Sequence, residues 1–192
     1  MPNWCNNTLV IKHQDPAMIL RAKNAFAEGK FLNEFVPIPE SLQIVSGRCG
    51  ADDNPEQIAL EAAQKNNIDV HGYKDWYDFS VNEWGTKWDV GDGDGINEIT
   101  ENSMTVYFDS AWAPPCAAYE KMTELGFEIE ALYDECGMAF CGRWTNAGGD
   151  EYFEYGGMTS DTAEQELPKE LNETFGIAEN IAFMESEQEE QE

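Results

Sequence analysis

Asp and Glu outnumber Lys and Arg by 38 to 11 in this 192-residue chain, a formal net charge of -27. Like charges on one compact body repel, so a chain this acidic folds only if its apolar content offsets that repulsion. Hydrophobic residues make up 42% of it and aromatic residues 12%, too much for a disordered acidic chain. Six Trp, seven Tyr and ten Phe can fill a sizeable core. The length fits one domain with an appendage. An anionic surface excludes direct nucleic-acid binding, which rests on Lys and Arg neutralising phosphates. It suits a protein partner with a basic groove.

The N-terminal segment Met1 to Asn7 has no charged n-region or apolar h-region, so it does not read as a signal peptide. No apolar run approaches membrane-spanning length, about 18 residues. Cys5, Cys49, Cys116, Cys136 and Cys141 are odd in number and scattered, and read as reduced thiols in a cytoplasm. Between Asp150 and Glu192, 14 acidic residues face Lys169 alone, which marks residues 159–192 as an acidic appendage to a 1–158 domain.

Within that domain Thr8 to Lys12 is a β-branched run that reads as a first strand. Asp15 followed by Pro16 is a helix start, and Met18, Ala22, Ala25 and Phe26 form one apolar stripe ending near Gly29. A helical insertion spans about residues 41–84. In it Asn54 caps a helix with Gln57 in capping-box position, and Ile58, Ala59, Ala62 and Ala63 give a small-residue face. Trp76 to Trp84 reads as a short aromatic helix stopped by Gly85. Thr86 to Val90 is expected to pair with Ser103 to Asp109 across the glycine-rich loop from Gly91 to Gly95. Pro114-Pro115 opens a helix whose Ala118, Met122 and Leu125 share a face, closed at Gly126. Phe127, Ile129, Ala131 and Tyr133 alternate with Glu128 and Glu130 as a half-buried strand. Ala139 to Trp144 and Tyr152 to Tyr155 extend the sheet antiparallel, and Lys169 to Met184 reads as a docked helix. The result is an α+β chain with a ferredoxin-like βαββαβ core, the split-βαβ order.

Four separated segments, Met1-Pro2-Asn3-Trp4-Cys5-Asn6-Asn7, Trp84-Gly85-Thr86-Lys87-Trp88-Asp89, Phe108-Asp109-Ser110-Ala111-Trp112-Ala113-Pro114-Pro115 and Gly137-Met138-Ala139-Phe140-Cys141-Gly142-Arg143, resemble the YubB-type ferredoxin-like family of bacteriophage and plasmid proteins. The resemblance covers residues 1–155, and the Leu167 to Leu171 stretch is similar to tails in that family. It implies the fold and a mobile-element setting, with no catalytic residues to carry over. Trp4, Trp84, Trp88 and Trp112 are expected to be architectural, each burying its ring and bonding its indole N–H to a carbonyl. Gly85, Gly137 and Gly142 suit tight turns or close backbone approach.

No catalytic set stands out. His13 and His71 are the only histidines, and Cys136 with Cys141 lack zinc-site spacing. The acidic background is expected to raise thiol pKa values rather than create a nucleophile. Aligning Gly95 with the glycine of a calcium loop puts Asp92, Asp94 and Glu101 at ligand positions for a weakly bound calcium or magnesium ion. Val90 then stands where the leading Asp belongs and no helix pair flanks the loop, so a solvated hairpin loop is the better reading. The functional expectation is a non-catalytic protein that blocks a host nuclease or CRISPR-type complex by imitating nucleic acid, whose duplex form carries one charge per about 1.7 Å of axis. Glu124, Glu128, Glu130, Asp134 and Glu135 are the candidate charge row. Trp76, Tyr77, Tyr152, Phe153 and Tyr155 are the candidate anchors. A structural module whose acidity only aids solubility is the competing expectation, and a divalent-metal enzyme a third.

Overall fold

A computed structural model describes residues 3–189, with side chains to residue 187; Met1, Pro2 and the last three residues of the acidic appendage lie outside the described residues. Strand β1 (Trp4–Lys12) runs up the middle of a six-stranded antiparallel sheet, flanked by β3 (Ser103–Ala111) and β4 (Glu128–Glu135). Outside β3 lies β2 (Ile96–Ile99), and outside β4 the hairpin of β5 (Phe140–Thr145) and β6 (Gly149–Glu154). The order β2-β3-β1-β4 is the ferredoxin-like arrangement, extended by β5 and β6.

Asp15 caps α1 (Pro16–Ala27), its carboxylate accepting the Ala17 N–H at 2.9 Å. Ile19, Ala22 and Phe26 turn inward from α1, and Ala118, Tyr119 and Met122 from α5 (Cys116–Glu124). They pack on Leu9, Ile11, Met104, Val106, Ile129 and Ala131, the odd-parity face of β1 and its matched neighbours. Leu125, expected on that inward face, is 45% exposed, since α5 ends at Glu124 and the chain turns away at Gly126 (φ +92). Over β4 to β6 the opposite face is covered too. Leu132, Cys141 and Phe153 there meet Leu171, Ile177 and Ile181 from α7 (Lys169–Phe175) and α8 (Ile177–Glu189), and Leu167, which follows α6 (Ser160–Glu166). The acidic appendage is therefore a helical layer, broken at Gly176 (φ +62) rather than one continuous helix. Of the four residues expected to dock it, Leu171 and Ile181 are buried, Phe175 is half-buried and Met184 stands in solvent.

Three segments depart from the sequence expectations. Strand β3 pairs with Ile96 to Ile99, not with Thr86 to Val90. The latter is drawn away because the Asp89 carboxylate caps α2 (Phe31–Phe35), accepting the N–H groups of Leu32 at 2.7 Å and Asn33 at 3.0 Å. Helix α3 (Pro55–His71) starts at the Asn54 cap, but Gln57 does not reach back in a capping box. Gln57 instead accepts the Cys49 N–H at 2.9 Å, and Asn67 donates to the carbonyls of Ser41 at 2.8 Å and Lys74 at 3.2 Å. These two amides are the buried residues of α3, while Ile58, Ile68 and Val70 are exposed. Hydrogen bonds, not an apolar stripe, hold this helix. The aromatic segment forms α4 (Trp76–Phe79) and continues as a π-helical turn to Trp84, ending at Gly85 (φ +87) as expected.

Gly142 on β5 lies between Tyr133 of β4 and Glu151 of β6. A Cβ there would overlap the Tyr133 phenol and lie 2.5 Å from the Glu151 carbonyl oxygen, so Gly142→Ala should cost about 1–3 kcal/mol. Gly93 has open space around it, and Gly93→Ala should change stability by less than about 0.5 kcal/mol. Urea unfolding of the two variants checks the contrast.

Candidate functional site

The expected charge row does not assemble. Glu124, Glu128 and Glu130 are exposed, and Glu130 pairs with Lys12 at 3.1 Å. Asp134 and Glu135 are buried. Strand parity puts Asp134 beside Leu132 under the helical layer, where its carboxylate accepts the Tyr155 hydroxyl at 2.7 Å. Burial pushes its pKa up, an effect the Tyr155 bond opposes and nearby Glu135 reinforces. Glu135 caps the turn into β5, accepting the N–H groups of Gly137 at 2.9 Å and Met138 at 2.8 Å.

Dense negative charge lies instead on α6 to α8, where eight carboxylates between Asp161 and Glu187 face Lys169 alone. Side-chain bonds order this layer. Asn172 accepts the Ala178 N–H at 2.8 Å and donates to Glu164, while Glu185 accepts from the Ser160 hydroxyl at 2.7 Å. The expected anchors divide as well. Tyr152 is half exposed, Trp76 and Tyr77 are half-buried, Phe153 packs into the second core and Tyr155 is buried.

Nor do the residues offered for a divalent ion come together. Asp92 accepts the Gly95 N–H at 2.8 Å and so braces its own loop, while Glu101 lies beyond β2 in the turn before β3. No group of three carboxylates, thiols or imidazoles converges among the described residues. Burial, more than neighbouring acids, raises the thiols: Cys141 is pushed up to about 12, with Asp134 adding to it, and Cys5 and Cys116 higher still. A cleft of about 240 Å³ runs between the sheet and α7, lined by Thr8, Val10, Glu130, Arg143 and Glu170. Its guanidinium is already held by Glu151, at 2.6 Å.

A tryptophan surface is the feature the sequence expectations missed. Only Trp84 behaves as an architectural residue, buried with its indole N–H on the Val36 carbonyl at 2.8 Å. Trp4, Trp88 and Trp112 are 45%, 38% and 40% exposed. Trp4 and Trp88 lie 5.8 Å apart between ring centroids, and Trp112 meets Tyr77 edge-on at 6.3 Å. The Lys87 ammonium lies 4.6 Å from the Trp88 centroid, 5.0 Å from Trp112 and 5.8 Å from Tyr77.

Hydrogen bonds hold the turn that carries Trp112. Trp112 has φ +73, a left-handed conformation that costs a non-glycine residue about 1–3 kcal/mol. Its N–H donates to the Asn3 carbonyl at 2.9 Å. The Thr86 hydroxyl donates to the Ala111 carbonyl at 2.9 Å, and the Ser110 hydroxyl to the Ala113 carbonyl at 2.8 Å, on either side of the strained residue. Asn7 in turn donates to Ser110 at 2.9 Å. Asn3 also donates to Glu135 at 3.4 Å, which links the turn at Gly137 to the same network. The four segments that carry the family resemblance thus meet at one surface. Parity was the available signal: Trp4 alternates with Cys5, Asn7, Leu9 and Ile11, all buried, and so must face the other way.

No family model and no curated protein matches this chain. One solved structure is similar, the crystal structure of protein api92 from Yersinia pseudotuberculosis, of the family model DUF1281. It is 12% identical, over 81% of this chain and 99% of that one, with a TM-score of 0.41. A likeness at that level carries no statement about this chain.

Two expectations follow. Trp84→Ala should cost about 3–5 kcal/mol in urea unfolding, whereas Trp4→Ala and Trp88→Ala should each cost less than about 1 kcal/mol, and Trp112→Gly should be close to neutral because strain relief offsets lost contacts. Asp134 has a folded pKa above its unfolded value, so the folded state binds the proton more tightly and ionisation weakens the fold. That weakening is present at neutral pH and disappears as pH falls through the folded pKa toward about 3.9. Asp134→Asn, which keeps an acceptor for Tyr155, should therefore be more stable than wild type at pH 7. The gap should close on acidification, as read from urea midpoints at stepped pH.

Proposed function

We propose that this protein is a non-catalytic inhibitor from a bacteriophage or similar mobile element. It acts in the bacterial cytoplasm on a host nucleic-acid-handling protein, a nuclease or a CRISPR-type defence complex, by occupying its basic channel. One observation carries the reading: the carboxylates of the appendage stand on helices α6 to α8 that are packed on the body through apolar contacts and hydrogen-bonded to one another. Fixed carboxylates can meet a fixed row of arginines bidentately, whereas charges on a floppy tail would hold a partner only diffusely. The net charge of -27 would steer such a partner in and make association salt-sensitive. Exposed Trp4, Trp88 and Trp112 supply the kind of apolar anchor that interfaces use. That no helix among the described residues is long and apolar enough to cross a membrane is compatible with action in solution.

The test uses Asp161, Glu166, Glu173 and Glu179, all exposed on the appendage. A quadruple variant with Asn or Gln at these positions should fold as wild type by circular dichroism. Tagged wild-type protein should retain a nucleic-acid-binding protein from bacterial lysate at low salt, lose it to competing duplex DNA, and the variant should retain at least tenfold less. Equal retention by the variant would support acidity as a solubility device and defeat the proposal.

A further inference from the structure

We propose that Trp88, Trp112 and Tyr77 form an aromatic cage for a lysine or arginine side chain of a partner polypeptide, and that Lys87 fills this cage when the partner is absent. The cage is a separate site from the acidic helical layer and stands whether or not that layer imitates nucleic acid.

The geometry is that of cation recognition by π faces. An ammonium within about 6 Å of an aromatic centroid is attracted by the ring quadrupole. Lys87 meets this condition at three rings at once, at 4.6, 5.0 and 5.8 Å. Acids outnumber bases more than three to one in this chain, yet among the described residues no carboxylate lies within 4.0 Å of the Lys87 ammonium. It has chosen rings over carboxylates. Trp88 and Trp112 are 38% and 40% exposed and Tyr77 is half-buried, and none of the three belongs to either hydrophobic core. Trp112 keeps its place only against backbone strain, braced by Ser110 and Thr86, both buried. Strain retained around a solvent-facing ring points to a use outside folding.

Charge selects the occupant. A second copy of this chain would bring another -27, and nucleic acid or an anionic membrane would meet the same repulsion. A basic segment is drawn in by that field. Lys87, tethered beside the cage, competes for the rings and leaves them to a cation that brings additional contacts.

The experiment follows tryptophan fluorescence during titration with a nine-residue peptide of alternating Arg and Gly, and with the same peptide carrying Gln for Arg. Salt of about 1 M shortens the screening length to about 3 Å and suppresses the general attraction. Wild type should respond to the Arg peptide alone. Lys87→Met keeps the stem and removes the competing ammonium, and should bind about threefold to tenfold tighter. Lys65→Met makes the same charge change on exposed α3 and should leave affinity as in wild type. Trp112→Gly and Trp88→Ala, each verified as folded, should weaken binding at least threefold. The proposal is overturned if Lys65→Met tightens binding as much as Lys87→Met, if Lys87→Met is no tighter than wild type, or if neither ring variant matters. Dimerisation of Lys87→Met in sedimentation, or its binding of oligothymidylate, would assign the surface to another occupant and overturn it as well.

Discussion

Everything in this molecule is referred to β1, a strand in the middle of the sheet, hydrogen-bonded along both edges. It pairs with β3 from Trp4 to Lys12 and with β4 from Asn6 to Lys12, so a slip of one residue would turn every side chain of β1 to the wrong face. The register sends Leu9 and Ile11 under α1 and α5. By the same alternation it sends Trp4 outward. It also brings Asn3 level with the end of β3, where its carbonyl receives the Trp112 N–H. The main core and the exposed aromatic surface are therefore two consequences of a single strand pairing.

A net charge of -27 must be distributed so that the fold survives it, and the molecule does so in two ways. Most carboxylates point to solvent, many of them on the helices that cover the second face of the sheet. The few that are buried work as local hydrogen-bond acceptors: Asp75 caps α4, Asp134 holds Tyr155, and Glu135 closes a turn. Surface pairs such as Lys12 with Glu130 and Lys169 with Glu173 are solvent-exposed and add little to stability. Apolar burial and the side-chain network around Ser110, Thr86 and Asn7 outweigh the repulsion.

What could be read from the chain was local. The Asp15-Pro16 and Asn54-Pro55 helix starts, the stop at Gly85 and the alternation of β4 each depend on residues within a turn or two of one another. What failed was non-local. Thr86 to Val90 has the β-branched content of a strand, but Asp89 is committed to amides 56 and 57 residues away, and that removes it from the sheet. Residues Ile58 to Ala63 look like a helix face, yet α3 is anchored by Gln57 and Asn67 to loops that no periodicity reveals. Asp134 looks like a surface acid until α6 to α8 cover its face of the sheet, and Glu135 until the turn at Gly137 and Met138 folds onto it. The tryptophans are the instructive case. Residue type argued for burial, whereas parity for Trp4 and the strained turn for Trp112 decided for exposure.

The central claim is that the indoles of Trp4, Trp88 and Trp112 stand partly in water, the last two against Lys87, while Trp84 and Trp144 serve the folded body. Solvent paramagnetic relaxation of the indole N–H signals tests this directly in the free protein. The account requires that a soluble gadolinium chelate broadens the indole resonances of Trp4, Trp88 and Trp112 and leaves those of Trp84 and Trp144 sharp. Protection of the first three to the same degree as Trp84 would contradict it.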